Sequence, residues 1–344
     1  MIKVGIIGVT GYTGIELLRI LMGHGEVEVA AVSSVSFEGK PVYEVYPQFL
    51  GLCNLVCDNK ETVIDKSDVI FACLPHGLSE EIAKLCVNKG KKLIDLGADF
   101  RLYFEKDYEE WYEKKFDEPV LHGDSVYLIP ELFKNELKNQ SIIANPGCYP
   151  TAVCLGLAPA IYNACISNTG IIIDAKSGVT GAGRSLSQRF HFAECNEAFG
   201  PYKVATHRHT PEIEQSLSYY AGAEINITFV PHLLPINRGI ICTMYSKIKK
   251  DVSFKKIRKH YEKFYKIKPF VRVLPDGQTA DLKNVRYTNL CDISLHFDSR
   301  TGTFVVVSAI DNMVKGAAGQ AVQNMNILMG IEETTGLNFI PPTF

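Results

Sequence analysis

"IKVGIIGVTGYTGIELLRILMGH", residues 2–24, begins as an apolar strand, turns on three glycines and continues with helical spacing. Gly8, Gly11 and Gly14 follow a GxxGxxG spacing, not the commoner GxGxxG, in the strand–turn–helix context that a dinucleotide-binding turn requires. Glycine permits the tight turn and brings backbone close to a pyrophosphate, whose charge is met by amides at the helix N-terminus. Gly8, Thr10, Gly11, Tyr12, Thr13 and Gly14 are therefore candidate cofactor contacts.

Working outward, "VEVAAVSS", "DVIFACLP", "KKLIDLG" and "SIIANPG" are short apolar runs, with helical stretches such as "GLSEEIAKLCVNKG" between them. Strand–helix alternation predicts a parallel sheet with right-handed crossovers, a Rossmann-type dinucleotide-binding domain of the α/β class. An acid that would bind a ribose 2′-hydroxyl is missing after the second strand. Ser33, Ser34, Ser36 and Lys40 stand there instead. Hydroxyls and a lysine accept a 2′-phosphate that a carboxylate would repel, so NADP(H) is favoured over NAD(H).

After Pro150 the texture changes. "TAVCLGLAPAIYNA" reads as a helix, and "GIIIDAKSG", "EINITFVPHLL", "GIICTMYSKI" and "GTFVVVSAI" as long strands with fewer helices between. That pattern predicts an α+β domain with a mixed sheet. "GAAGQAVQNMNILMGI" reads as an amphipathic helix that packs back on the first domain. The expected division is 1–147, completed by 312–344, and 148–311.

The chain has 344 residues, 46% hydrophobic and 22% charged, with a formal net charge of −2. Its length suits two domains, and its charge gives no field favouring nucleic acid or an anionic membrane. The lysines at 247–250 and 255–259 read as a solvated helix face and its flank. No stretch reads as a secretion leader or a bilayer span. Ten cysteines without a CxxC pair or regular spacing argue against a zinc site or a disulfide framework. A reducing, cytoplasmic setting with free thiols is expected, and no metal.

One of those thiols is placed for chemistry. In "NPGCYPTAVCLG", residues 145–156, Pro150 suits the first helical position, which leaves Cys148 just before the helix. Amides there lower a thiol pKa and can hold the oxyanion formed when a thiolate attacks a carbonyl. Cys154 and Cys165 read as packing. In "ATHRHTPEIEQ", His207 and His209 share a face, with Thr210 as a helix cap and Pro211 as first helical residue. A helix N-terminus disfavours imidazolium, so His209 is preferred as acid/base and His207 as a substrate contact, although both are within reach. His76 ends a strand in "CLPHG".

With these segments, "DLGADFRL" (95–102), "YLIPEL" (127–132), "SGVTGAGR" (177–184), "PINRGI" (235–240) and "DNMVKGAAGQAVQN" (311–324), the chain resembles the N-acetyl-gamma-glutamyl-phosphate reductase family over essentially its full length. Cys73 stands where alanine is usual, and Thr180 where serine is common. The resemblance implies NADPH-dependent reductive dephosphorylation of N-acetyl-glutamyl 5-phosphate to the 5-semialdehyde, a step of arginine biosynthesis. Cys148 would attack the acyl phosphate, giving a thioester and free phosphate. Hydride would give a thiohemiacetal, and His209 would take its hydroxyl proton as aldehyde leaves. The resemblance also implies substrate contacts at Arg101, Ser177, Arg184, Glu212 and Arg238, with phosphate assigned to Arg101. It implies cofactor contacts at Leu74, Pro75, His76, Gly178, Asn312, Lys315 and Gly316, and a homodimer or homotetramer. Aspartyl phosphate and carrier-linked aminoadipyl phosphate are the rival substrates. A scaffold that binds NADP without turnover is the rival of another class.

Overall fold

The computed structural model describes residues 1–343 and divides them into two compact units. One comprises Met1–Pro146 with Ala317–Asn338; the other comprises Gly147–Gly316 with residues 339–343. The expected completion of the first unit by 312–344 is therefore corrected. Residues 312–316 stay with the second unit because Asn312 bonds Gly239 and Thr180 there, and Gly316 packs on Cys148. Phe344 lies outside the described residues.

The first unit holds a seven-stranded sheet of β1 (Ile2–Ile7), β2 (Val27–Ser33), β3 (Cys57–Asp58), β4 (Val69–Ala72), β5 (Lys92–Asp95), β6 (Ser125–Tyr127) and β7 (Ile142–Ala144). Its order is β3-β2-β1-β4-β5-β7-β6, and every pair is parallel. Strand order reverses between β1 and β4, and ligands of such sheets bind outside the carboxyl ends at that switch point. The glycine turn leaves β1 there and enters the helix Tyr12–Leu21.

The helix Gly319–Leu328 packs against Tyr12–Leu21 within this unit. It is not amphipathic in the expected sense: Gln320, Gln323, Asn324 and Asn326 are all fully buried. Gln320 Nε2 donates within the helix to Asn324 Oδ1 at 3.4 Å, and partners distant in sequence bond the other three, as buried polar groups require. Asn324 Nδ2 donates to Leu128 O at 3.1 Å and to Asn145 Oδ1 at 3.0 Å. Gln323 Nε2 donates to Glu131 Oε1 at 3.0 Å, and Asn326 Oδ1 pairs with His24 Nε2 at 2.9 Å.

The second unit holds a mixed sheet of β8 (Ile171–Gly178), β9 (Gly200–Pro201), β10 (Ile227–Leu234), β11 (Ile240–Lys247), β12 (Val271–Val273), β13 (Cys291–Asp298) and β14 (Thr303–Ile310). Its order is β12-β13-β14-β11-β8-β10-β9, with β8–β10 and β12–β13 parallel and the other pairs antiparallel. The helix Cys148–Tyr162 packs on β11 and β14 and also against the helices Thr210–Ala221 and Phe254–Tyr265. Covered on all sides, it is apolar all round, and Tyr149 through Ile161 are buried. Among the described residues, no helix is long and apolar enough to cross a membrane.

Candidate active site

Each glycine of the first turn has its own geometry. Gly8 has φ +86°, and a Cβ there would lie 2.5 Å from Cys73 O. A Cβ on Gly14 would collide with Gly8 O and approach Val9 Cα to 2.8 Å, so the helix sits directly on the turn. Gly11 caps the helix Tyr12–Leu21 with no side-chain bond, so no cap side chain takes the amides of the first turn. This cradle fits a pyrophosphate. Thr10 and Ser34 are buried with their hydroxyls 2.6 Å apart, and Tyr46 donates to Thr10 O at 2.9 Å. Ser33 is buried and its carbonyl takes the amides of Gly8 and Val9, whereas Ser36 and Lys40 are exposed.

Leu74, Pro75 and His76 follow β4, and His76 is exposed with its ring 5.6 Å from that of Tyr112. Two acids hold this loop from below. Asp99 accepts the N–H of Gly77 at 2.6 Å and of Ser79 at 2.8 Å. Asp95 accepts the Ser79 hydroxyl at 2.6 Å and the Gly97 N–H at 2.9 Å. Burial and then the charge of Asp99 push Asp95 up to about 6. Sequence reading assigned neither acid a role, although both lie in the quoted "DLGADF". Arg101 is buried nearby; its Nε donates to Asn145 O and its Nη2 to Leu96 O, each at 2.9 Å.

In the second unit the helix begins at Cys148 itself. Pro150 is the third residue, not the first, because extended Gly147 (φ −69°, ψ 156°) is the cap. Proline is tolerated there since first-turn amides lack intrahelical partners. The neighbouring helix differs from expectation in the same way: it starts at Thr210 with His209 as cap and Pro211 second. His209 carries the cap because its carbonyl takes the Ile213 N–H at 3.1 Å. Three residues on, buried Glu212 accepts the Gly147 N–H at 2.7 Å. The starts of the two helices are thereby joined, and the Glu212 carboxylate sits on the main chain just before Cys148.

An aromatic cluster brings the histidines to Tyr149, the residue after Cys148. The Tyr149 ring centroid lies 5.5 Å from His207 and 5.9 Å from His209, and the two imidazoles are 4.8 Å apart. His207 Nδ1 accepts the His209 N–H at 3.1 Å, so the neutral ring carries its proton on Nε2. Burial, then the charges of Lys203 and Arg208, lower the His207 pKa to about 4. The hydroxyls of Tyr149 and Tyr202 are 3.1 Å apart, and the Arg189 guanidinium stands 5.5 Å above the Tyr202 ring. Tyr202 carried no motif, and Tyr149 had only its position beside Cys148. Cys148 is half-buried, while Cys154 and Cys165 are buried.

The "SGVTGAGR" turn lies against the "PINRGI" segment. A Cβ on Gly178 would sit 2.6 Å from Asn237 O, and buried Ser177 donates to Gly178 O at 2.9 Å. Buried Asn312 spans both segments, accepting the Gly239 N–H at 2.7 Å and donating to Thr180 Oγ1 at 3.0 Å. Arg238 faces Asp311 at 3.6 Å and stacks over Tyr287, whereas Arg184 is exposed. Lys315 is fully buried with Nζ 5.6 Å from the Phe270 ring centroid.

The semialdehyde dehydrogenase NAD-binding domain family matches residues 3–140, and the semialdehyde dehydrogenase dimerisation domain family matches 148–312. The N-acetyl-gamma-glutamyl-phosphate reductase of Clostridium botulinum (strain Eklund 17B / Type B) is 56% identical, with all of both chains covered. That of Brachyspira hyodysenteriae (strain ATCC 49526 / WA1) is 55% identical, again with all of both chains covered. Among solved structures, aspartate semialdehyde dehydrogenase II from Vibrio cholerae aligns with a TM-score of 0.72 at 18% identity, covering 96% of this chain and 99% of that one. Aspartate semialdehyde dehydrogenase with NADP from Candida albicans aligns with a TM-score of 0.69 at 16% identity, covering 96% and 98%. These structural likenesses speak for the fold alone. Identity above half along the whole chain decides among semialdehyde dehydrogenases: this chain belongs to the N-acetyl-gamma-glutamyl-phosphate reductase family.

Proposed function

We propose that the chain reduces N-acetyl-L-glutamyl 5-phosphate to N-acetyl-L-glutamate 5-semialdehyde with release of phosphate, the reduction its relatives are named for and a step of arginine biosynthesis, using NADPH and Cys148. One observation carries this reading: a half-buried thiol at the first position of a helix whose start is fixed by Glu212 from the histidine-bearing helix. First-turn amides favour the thiolate, which attacks the acyl carbon; the carbon–oxygen bond to phosphate breaks and a thioester on Cys148 remains.

The glycine turn from Gly8 to Gly14 would hold the cofactor's pyrophosphate, with Ser36 and Lys40 available to a 2′-phosphate. When bound, the cofactor supplies hydride to the acyl carbon. The resulting oxyanion picks up a proton to give a thiohemiacetal; His209 then takes that hydroxyl proton as the carbon–sulfur bond breaks, the aldehyde leaves and Cys148 is regenerated as thiolate. The depressed pKa of His207 supports this division, since a base works best with a pKa near the working pH. Neutral His207 then offers Nε2–H to a substrate oxygen. Arg101, braced on two carbonyls, suits the phosphate; Arg238 and Arg184 are assigned to the carboxylate end, with Ser177 beside them. The match to a dimerisation domain supports a homodimer or homotetramer. A cytoplasmic location goes with the free thiols.

Phosphate-dependent reduction of NADP by acetylglutamyl, aspartate and aminoadipate semialdehydes, compared spectrophotometrically, tests the substrate. Acetylglutamyl semialdehyde is expected to be preferred by at least about tenfold, the size one well-met polar group provides. Parity with aspartate semialdehyde rejects the reading. Acyl transfer is checked by mass spectrometry, and an adduct on any residue but Cys148 rejects the covalent route.

A further inference from the structure

Val314–Ala318 form a single turn of π-helix. The Gly316 N–H donates to Asp311 O at 2.9 Å, the wide five-residue closure of such a turn. Asp311 is fully buried, and its carboxylate fixes the turn: it accepts the N–H of Met313 at 2.7 Å, of Val314 at 3.1 Å and of Tyr287 at 2.6 Å. The turn presents Gly316 to the nucleophile. A Cβ on Gly316 would stand 2.8 Å from Cys148 Cβ, 3.3 Å from Cys148 Cα and 3.3 Å from Ile310 Cδ1. Cys148 Cβ is one bond from a backbone that Glu212 already anchors through Gly147, so it has little freedom to yield.

We infer that Gly316 is a positioning residue, whose bare α-carbon, delivered by the π-turn, seats the Cys148 thiol at its helix start. The inference rests on Cys148 being the nucleophile. It departs from a role for Gly316 as a cofactor contact, and the two roles separate in the thiol's own chemistry. In Gly316→Ala the methyl must push Cys148 off its seat, away from the amides that favour thiolate.

The test is site-resolved labelling of Cys148 by iodoacetamide, followed by peptide mass spectrometry across pH without substrate or cofactor. Gly316→Ala is expected to label about threefold more slowly at pH 7, with its pH midpoint moved upward, as a thiol withdrawn from a helix start should. Its kcat should fall by at least about tenfold while the KM for NADPH stays put, because sub-ångström misplacement of a reacting atom acts on chemistry and not on cofactor binding. Native labelling in a folded Gly316→Ala chain overturns the inference, and a raised KM for NADPH with native labelling reassigns Gly316 to the cofactor. If the single variant melts below the assay temperature, Gly316→Ala/Ile310→Val is measured instead. Loss of Ile310 Cδ1 relieves one contact and leaves the approach to Cys148, so slowed labelling is again expected and native labelling again overturns. A native chain that fails to turn over acetylglutamyl semialdehyde would defeat the substrate reading and leave the labelling result standing.

Discussion

Buried Asp95 and half-buried His207 give the molecule opposite responses to pH. His207 is held neutral, its pKa lowered from 6.5 to about 4 by burial and by two nearby cations. An unfolded chain binds that proton first, so the stability His207 contributes is whole above pH 6.5 and is lost as pH falls toward 4. The stake is roughly 3 kcal/mol, from about 1.4 kcal/mol per pKa unit. Asp95 is raised from 3.8 to about 6, so its folded form resists ionisation and stability is lost as pH rises from 4 to 6. Denaturant melts of His207→Asn between pH 4 and 7 should show a shallower rise with pH than the native chain. Asp95→Asn keeps an oxygen for Ser79 and Gly97 and should show a steeper one. An unchanged slope in either variant contradicts the assigned burial. At Cys148 the expectation is kinetic: Cys148→Ser should lower turnover by at least about a thousandfold, since the weaker nucleophile lacks a base of its own. Titration of NADPH should meanwhile give a near-native Kd, because the glycine cradle belongs to the other unit.

At the scale of elements, the glycine turn was the most legible part of the chain because its geometry admits few alternatives. Gly14→Ala drives a methyl into backbone atoms of Gly8 and Val9, which cannot rotate away. It should cost about 1–3 kcal/mol of stability, as overpacking does, and weaken NADPH binding by at least about tenfold. Gly11→Ala, 3.5 Å from its nearest neighbour, should be far milder in the same melts and titrations. The helix starts at Cys148 and the HRH segment were also legible, since a proline follows each and Gly147 precedes the first; the error of one or two residues came from judging the cap by proline. Less was readable at 314–328. A π-turn differs from an α-turn by one residue, and the Asp311 carboxylate that holds it is itself fixed by the distant Tyr287 N–H. Beyond it, Gln323, Asn324 and Asn326 carry the spacing of a solvated face, yet Glu131, Asn145, Leu128 and His24 bond them in the interior. Polarity along a helix does not reveal partners that arrive from more than a hundred residues away.

For the whole molecule, cofactor choice joins local chemistry to global stability. On the proposed reading the glycine cradle would hold the pyrophosphate common to both nicotinamide dinucleotides, so discrimination would come from the ribose end. There Ser34 is buried against Thr10, Ser33 contributes a buried carbonyl bridge, and the exposed groups are Ser36 and Lys40. The proposed 2′-phosphate preference would therefore rest chiefly on Ser36 and Lys40 and less on the serine pair that first suggested it. A ligand that binds only the folded state raises stability by about 2.7 kcal/mol at a hundred times its Kd. In thermal melts, NADP should raise the midpoint of the native chain more than the same concentration of NAD. Lys40→Ala should bring the two midpoints together by lowering the NADP response, because removing one cation from a phosphate contact removes a charge-assisted bond and leaves the pyrophosphate site intact. Equal protection of the native chain by both dinucleotides would leave no role for Lys40, and would move the choice of cofactor away from the end of β2.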